Sequence, residues 1–355
     1  MHHRSQSIGV SVGLCAIALT ILGATLCSCS ILDPDENPKS EAAFIPFGEP
    51  HVGPPRISLD GNRLYITSEQ RGLWVVDLTE EDLVPEYVGH ADTTVEVNAS
   101  CPEPPCIGVT AYLDGPTWDA LARSGAGGGV WRRETDASEW INESERFAPG
   151  PYPRYFLSLP NDAVIAYSSS AFLTQDKGDT WHRLSITGEF VYHTRNASNP
   201  GDVWLGGGTD RTPHLYRSLD GGVSWNRVDP PQEFVDQERL VESVAVVGSA
   251  TESVFVTMGG ADCLVWSRTG DGDWHSLDSP LDEFCWIRNF NATPSPLVLY
   301  TQSGHIHASD DAGETWRAYD MALDENEIIR EVLWDPARKQ FYVSSSFGVY
   351  CIPEF

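Results

Sequence analysis

Basic residues are scarce in this chain. Only 23 Lys+Arg stand against 51 Asp+Glu in 355 residues, for a formal net charge of −28. Such a surface repels phosphate backbones and anionic headgroups, which argues against nucleic acid and against an electrostatically held membrane as partners. Long helical periods are missing too, so no helix-built domain is expected. The eight cysteines show no zinc-site spacing, and neither a metal nor a cofactor is expected. No His/Asn arrangement points to Cys351, which reads as a thiol buried near the C-terminus rather than a nucleophile.

What the chain does have is a repeated turn. Ser/Thr-x-Asp-x-Gly-x-Ser/Thr-Trp occurs at Thr174 to Trp181, Ser218 to Trp225 and Ser309 to Trp316. Each residue type answers one need of a tight hairpin. Asp176, Asp220 and Asp311 can accept backbone N–H groups of their own turn, and Gly178, Gly222 and Gly313 can take positive φ at no steric cost. The hydroxyls add local bonds, and Trp181, Trp225 and Trp316 supply apolar surface that anchors the turn. Degenerate copies at Arg133 to Trp140 and Ser267 to Trp274 extend the series to a tryptophan about every 40 to 50 residues.

The turn resembles the Asp-box, or BNR repeat, of sialidase-like and sortilin-like β-propellers and of propeller-type photosystem II assembly factors. The resemblance covers Ile57 to the C-terminus and implies an all-β fold with one four-stranded blade per repeat. Short β-branched and aromatic runs separated by Gly, Pro, Asn and Asp fit that reading. The first unit holds Ile57–Asp60, Leu64–Ser68 and Leu73–Leu78; the second is irregular, running from about Val95 to Trp140. The last, Glu331–Trp334, Gln340–Ser344 and Gly348–Ile352, lacks an outer strand, and the apolar run Ala42–Phe47 can supply it. The expectation is a seven-bladed propeller whose N-terminal strand closes the last blade, with six or eight blades left open by the second unit.

The N-terminus carries an address. Three weakly basic positions, His2, His3 and Arg4, precede a stretch of apolar and small residues from Ile8 to Leu26, then Leu26-Cys27-Ser28-Cys29. The last four resemble a bacterial lipobox with Cys29 as the lipidated residue; an ordinary cleaved signal peptide is the alternative. On this reading residues 1–28 are a lipoprotein signal peptide, 29–42 the lipidated Cys and an acidic tether, and 43–355 the propeller. The protein is then a monomer of the bacterial cell envelope, on the outer membrane, touching lipid only through its anchor. In that oxidising setting Cys101 with Cys106, and Cys263 with Cys285, are disulfide candidates.

Function is less legible. A sialidase-type exo-acting glycosidase is the enzyme reading that the resemblance suggests, and that family needs an arginine cluster, a Tyr nucleophile with a Glu partner, and an Asp acid/base. Its Phe/Tyr-Arg-Ile-Pro motif is absent, the nearest stretches being Pro55-Arg56-Ile57-Ser58 and Pro153-Arg154-Tyr155-Phe156. Asp-boxes are peripheral turns in that family, so no catalytic residue is assigned. A different pattern stands out in a chain so poor in base. Arg56, Arg154, Arg195, Arg288 and Arg330 fall in or beside the expected innermost strands, with Trp286 near Arg288. Gathered at a channel mouth they would take a carboxylate, an acidic glycan or a peptide terminus; paired one by one with carboxylates they would only close the channel. The preferred expectation is a non-catalytic binding or scaffold module for an envelope protein, peptide or acidic glycan.

Overall fold

The computed structural model describes residues 43–46, 56–60, 62–68, 72–80, 82–87, 109–114, 118–123, 129–134, 141–147, 153–186, 188–196, 199–248, 252–258, 260, 262–288 and 296–353. The lipobox with Cys29, the Cys101/Cys106 insert and Trp140 lie outside these residues.

Among them the strands form seven four-stranded antiparallel sheets, six of them simple meanders in sequence order. After β1 (Ala43–Pro46), the first sheet holds β2 (Arg56–Asp60), β3 (Arg63–Ser68), β4 (Gly72–Asp77) and β5 (Glu86–Tyr87). The second holds β6 (Val109–Asp114), β7 (Trp118–Arg123), β8 (Gly129–Glu134) and β9 (Ile141–Asn142). Its first described strand thus begins well after the expected start near Val95. The third is β10 (Tyr155–Ser158), β11 (Val164–Tyr167), β12 (Ala171–Thr174) and β13 (His182–Arg183); the fourth is β14 (Glu189–Asn196), β15 (Asn199–Thr209), β16 (Thr212–Ser218) and β17 (Asn226–Arg227). The fifth is β18 (Val241–Val247), β19 (Ser253–Met258), β20 (Val265–Thr269) and β21 (His275–Leu277). The sixth is β22 (Cys285–Arg288), β23 (Leu297–Thr301), β24 (His305–Ser309) and β25 (Arg317–Asp320). A helix α1 (Gln232–Asp236) links the fourth and fifth.

The seventh sheet closes the circuit. It consists of β26 (Ile329–Asp335), β27 (Gln340–Ser345) and β28 (Gly348–Pro353), with β1 as its fourth strand. Ala43, Phe44, Ile45 and Pro46 pair with Cys351, Tyr350, Val349 and Gly348. An edge that the C-terminal segment leaves open is thereby capped by a strand from the other end of the sequence, and Ile45 is buried in the core between the seventh and first sheets.

First strands of neighbouring sheets contact one another, β2 with β6, β6 with β10, β14 with β18 and β18 with β22, and β26 returns to β2. They therefore line the axis of a ring, the all-β arrangement of a β-propeller. Apolar side chains are buried between sheets: Leu157, Ile165 and Leu173 meet Phe190, Val203 and Leu205 between the third and fourth, and Ala245 and Phe255 meet Ile287 and Leu299 between the fifth and sixth. The core is thus divided into slabs rather than gathered at one centre.

The three repeated turns share one hydrogen-bond scheme. The first hydroxyl (Thr174, Ser218, Ser309) donates to the Asp carboxylate at 2.8 Å and accepts the Gly N–H at 2.8 Å. The seventh residue (Thr180, Ser224, Thr315) gives the same carboxylate its N–H at 2.8 Å and its hydroxyl at 2.5 Å. The bonds from Thr315 and Ser309 hold the Asp311 carboxyl down at about 2. Gly178, Gly222 and Gly313 have φ of 82°, 85° and 90°. The residue before each, Lys177, Gly221 and Ala312, is also left-handed at 58°, 69° and 59°, a second requirement that the motif does not reveal. Trp181 packs on Phe147 and Phe172, Trp225 on the slab between the third and fourth sheets, and Trp316 on that between the fifth and sixth. Each turn is pinned to the preceding sheet.

Cys263 and Cys285 form a disulfide with a Cα–Cα distance of 5.0 Å, tying the loop before β20 to the first residue of β22. Cys351 is a buried thiol on β28.

Candidate functional site

The first strands bring a polar cluster to the axis. Arg56 opens β2, Tyr155 opens β10, Trp286 and Arg288 alternate along β22, and Arg330 and Glu331 lie near the start of β26. Alternation explains β22: Cys285 and Ile287 are buried toward the fifth sheet, while Trp286 and Arg288 are half-exposed. Ser243 of β18 accepts the Ile287 N–H at 2.8 Å, and the disulfide holds Cys285, so this strand is fixed at both inward positions.

Register sets the depth. Arg56, Tyr155, Trp286 and Glu331 face Thr67, Tyr167, Tyr300 and Ser344, each at or next to the end of its second strand. Bulges recur just here, between Val109 and Ala111, Phe190 and Tyr192, Val241 and Ser243, and Ile329 and Glu331. A bulge adds a residue to one strand and re-aims side chains, and bulges are frequent beside functional sites.

Contacts within the cluster form two modules. In one, Arg56 donates to the Tyr155 hydroxyl at 3.1 Å with its guanidinium carbon 4.7 Å from the ring centroid. Tyr155 stacks on Tyr167 with centroids 5.2 Å apart, and the Tyr167 hydroxyl meets Nδ1 of His193. In the other, Trp286 stacks on Tyr300 at 5.5 Å, with Arg288 near enough to act on the Tyr300 phenol. Phe284 covers the Trp286 edge at 4.6 Å. Glu331 sits near both modules, its Oε2 accepting the Ile57 N–H at 3.1 Å.

Electrostatics follow from this crowding. Burial pushes the Tyr167 phenol well above its usual value, reinforced by Tyr155 and opposed by Arg288 and Arg56. Burial likewise raises Tyr300, against the pull of Arg288. Desolvation works to lower Arg56, but Glu331 and Tyr155 outweigh it and its pKa stands above the ordinary arginine value. Arg330 is lowered, first by desolvation and then by Arg56. The phenols thus remain protonated hydrogen-bond donors beside guanidinium groups, a chemistry suited to anions.

Of the five arginines singled out in the sequence, the structure brings Arg56, Arg288 and Arg330 into one electrostatic neighbourhood. Arg154 stands one residue before β10, its side chain exposed and its N–H bonded to the Tyr167 carbonyl at 3.0 Å. Arg195 is near the far end of β14, paired with Val203, and its side chain lies outside the described residues. Sequence reasoning missed Tyr155, Tyr167, Tyr300, His193 and Glu331. Tyr155 and Tyr167 stand at strand ends, whereas His193 lies inside β14 and carries no such signal. Among the described residues no group of three or more His, Cys, Asp or Glu is placed to hold a metal, and no helix is long and apolar enough to cross a membrane.

No protein-family model matches the chain, and no curated protein matches it. Solved structures do resemble it. YCF48 bound to D1 peptide superposes with a TM-score of 0.63 at 14% identity, over 92% of this chain and 98% of that one. YCF48 from Cyanidioschyzon merolae gives 0.63 at 12%, over 88% and 98%. The GH74 enzyme of Niastella koreensis gives 0.59 at 13%, over 87% of this chain and 53% of the enzyme, so the chain spans about half of that protein. At these identities the likeness is one of fold, and the fold is a β-propeller.

Proposed function

We propose that this protein is a recognition propeller that captures an acidic protein, peptide or glycan at the axial end of its first strands. The observation that carries this is the placing of guanidinium groups beside phenols at the axis, Arg56 bonded to Tyr155 where it stacks on Tyr167, and Arg288 beside Tyr300. A chain of net −28 that concentrates arginines at one place reserves that place for negative charge. A peptide is the favoured ligand, because the propeller it resembles across 92% of its length is one that binds a peptide. In this reading the seven sheets are seven blades of one ring, the three repeated turns are Asp-boxes, and Cys29 carries the lipid that tethers the ring to the bacterial envelope, on the outer membrane.

The sialidase-type reading has less support. A Tyr nucleophile needs a carboxylate that takes its proton, and the bond described for Glu331 at the site comes from Ile57 N–H. A Tyr–Glu hydrogen bond does occur, Tyr350 to Glu327 at 2.8 Å, but Tyr350 is on β28 and its further charged neighbour is Asp324. Raised phenol pKa values oppose nucleophilic attack as well.

The test is an array of acidic glycans and envelope-protein peptides probed with the purified chain, with a fluorogenic sialoside in parallel. Binding without turnover, lost in Arg56→Ala and Arg288→Ala variants that still melt cooperatively, is the expected result. Sialoside turnover, or capture unchanged in both variants, would overturn the reading.

A further inference from the structure

The register of the seventh sheet shows from which side the chain enters the ring. Glu331, Ser344, Val349 and Ile45 lie in one row across its four strands at the arginine end, and Leu333, Tyr342, Cys351 and Ala43 lie in the next row but one away from it. β1 therefore runs toward the arginine end, and the chain before Ala43 arrives from the opposite one. The repeated turns stand on that opposite side. In the third sheet Tyr155, Tyr167 and Ala171 share the row at the arginine end, whereas Ser158, Val164 and Thr174, where the first turn starts, share the row farthest from it. One face of the ring thus holds the arginine–phenol cluster, and the other holds the turns and receives the N-terminal segment.

The turn face has a second property. Among the described residues the exposed large apolar side chains are Val84, Ile141, Leu219, Val223 and Val235. All but Val235, which is on α1, belong to connections between a third and a fourth strand. Val84 precedes β5, Ile141 opens β9, and Leu219 and Val223 lie in the turn between β16 and β17, with exposures of 69%, 47%, 59% and 52%. At the positions of Leu219 and Val223 the other two full turns carry Gln175 and Asp179, and Asp310 and Glu314. In a strongly acidic chain, apolar exposure is thus concentrated on one face of the first, second and fourth sheets, a sector that begins beside β1.

Resting on the reading of Cys29 as the lipid anchor, we propose that the turn face lies against the bilayer that holds the anchor, with Val84, Ile141, Leu219 and Val223 on its headgroup region, and that the arginine end points away from it. The segment from Cys29 to Ala43 reaches at most about 50 Å when fully extended, so the ring stays within touching range of the bilayer and meets it first with the face from which that segment leaves. Charge selects the lipid. An anionic surface would repel a chain of net −28 with Glu80, Asp179 and Glu314 exposed on the same face, so the headgroups are zwitterionic. A ligand then reaches the arginines from the aqueous side without passing between ring and membrane. That access suits a peptide of a protein in the aqueous compartment, not one embedded in the same bilayer.

The experiment uses the full chain, expressed with its leader, in phosphatidylcholine vesicles doped with a nitroxide-headgroup lipid, a quencher that acts on contact. An azide-bearing residue carries the fluorophore, in place of Glu80 on the turn face or of Glu325 in the connection between β25 and β26 at the arginine end. A strand of six residues spans about 20 Å, so one label can be quenched without the other. The label at Glu80 should lose its fluorescence and the label at Glu325 should keep it. Ile141→Ser, Leu219→Ser and Val223→Ser together should restore fluorescence at Glu80 while the protein still floats with the vesicles. Equal quenching at the two positions, stronger quenching at Glu325, or undiminished quenching in the triple variant would overturn the proposal. If the unsubstituted chain failed to float, like a Cys29→Ser control, the anchor would fall and the proposal with it. Neither result bears on the arginine end, whose failure is read separately as loss of ligand capture.

Discussion

Replacing Glu252 with Gln should stabilise the protein above neutral pH. Asp202 on β15 is wholly buried and accepts two bonds from Arg217 of β16, both at 2.9 Å, and the guanidinium lies 5.0 Å from the Trp204 ring centroid. Arg217 also reaches across the sheet boundary to Glu252, which precedes β19. One cation thus serves two carboxylates. Burial first, and then the hydrogen bond and charge of Asp202, push the Glu252 carboxyl up to about 7 from an ordinary value of 4.5. Between those pH values the folded protein holds a proton that the unfolded chain has released, so stability declines as pH rises through that window. The contribution is fully present below about 4.5 and gone above about 7. Taken whole, the shift from 4.5 to about 7 corresponds to about 3 kcal/mol. Solvent screening of a half-enclosed group reduces that to about 1–2 kcal/mol. Gln keeps the volume, still accepts from Arg217 and can donate to Asp202. Urea denaturation at intervals from about pH 5 to pH 8 measures the effect, with the difference between wild type and Glu252→Gln removing all other titrations. The curves should diverge with rising pH until the variant is the more stable by about 1–2 kcal/mol. Parallel curves would refute the argument.

Four further variants test the frame. Gly222→Ala should cost about 1–3 kcal/mol, because φ is +85° there and the new Cβ would stand 2.8 Å from Ile165 Cδ1; Gly270→Ala, at φ +57° with nothing within 4 Å, should cost less in the same urea titration. Ile45→Ala should cost about 2–4 kcal/mol and speed amide exchange in β28, since β1 covers that strand; unchanged exchange at Val349 and Cys351 would mean that β1 does not close the ring. Replacing Cys263 and Cys285 together with Ala should cost about 3 kcal/mol by chain entropy for a span of 22 residues, and peptide mapping without reductant should recover the two cysteines linked.

Why the frame could be read from the sequence while the site could not comes down to range. A repeated turn satisfies its polar groups within eight residues, so the residue types that need one another stand side by side: the Ser218 and Ser224 hydroxyls, the Asp220 carboxylate and the Gly222 N–H bond to one another. The closing strand was legible for a related reason, since an unpaired edge at Gly348–Pro353 demands a partner and the run at Ala43–Pro46 was at hand. The second sheet has no full turn of this kind, and its first described strand, Val109–Asp114, follows a Cys- and Pro-rich insert that carries no strand signal. The site depends instead on register between strands far apart in sequence. Arg56 and Arg195 both belong to first strands, yet one faces Thr67 near a strand end and the other Val203, beside a bulge. Tyr167 and Tyr300 read as ordinary strand aromatics, and only the arrangement of the sheets brings them within electrostatic reach of Arg56 and Arg288. A sequence that places those arginines at equal depth would have to encode the bulges as well, and a bulge such as that between Ile329 and Glu331 has no residue signature comparable to the Asp and Gly of a turn.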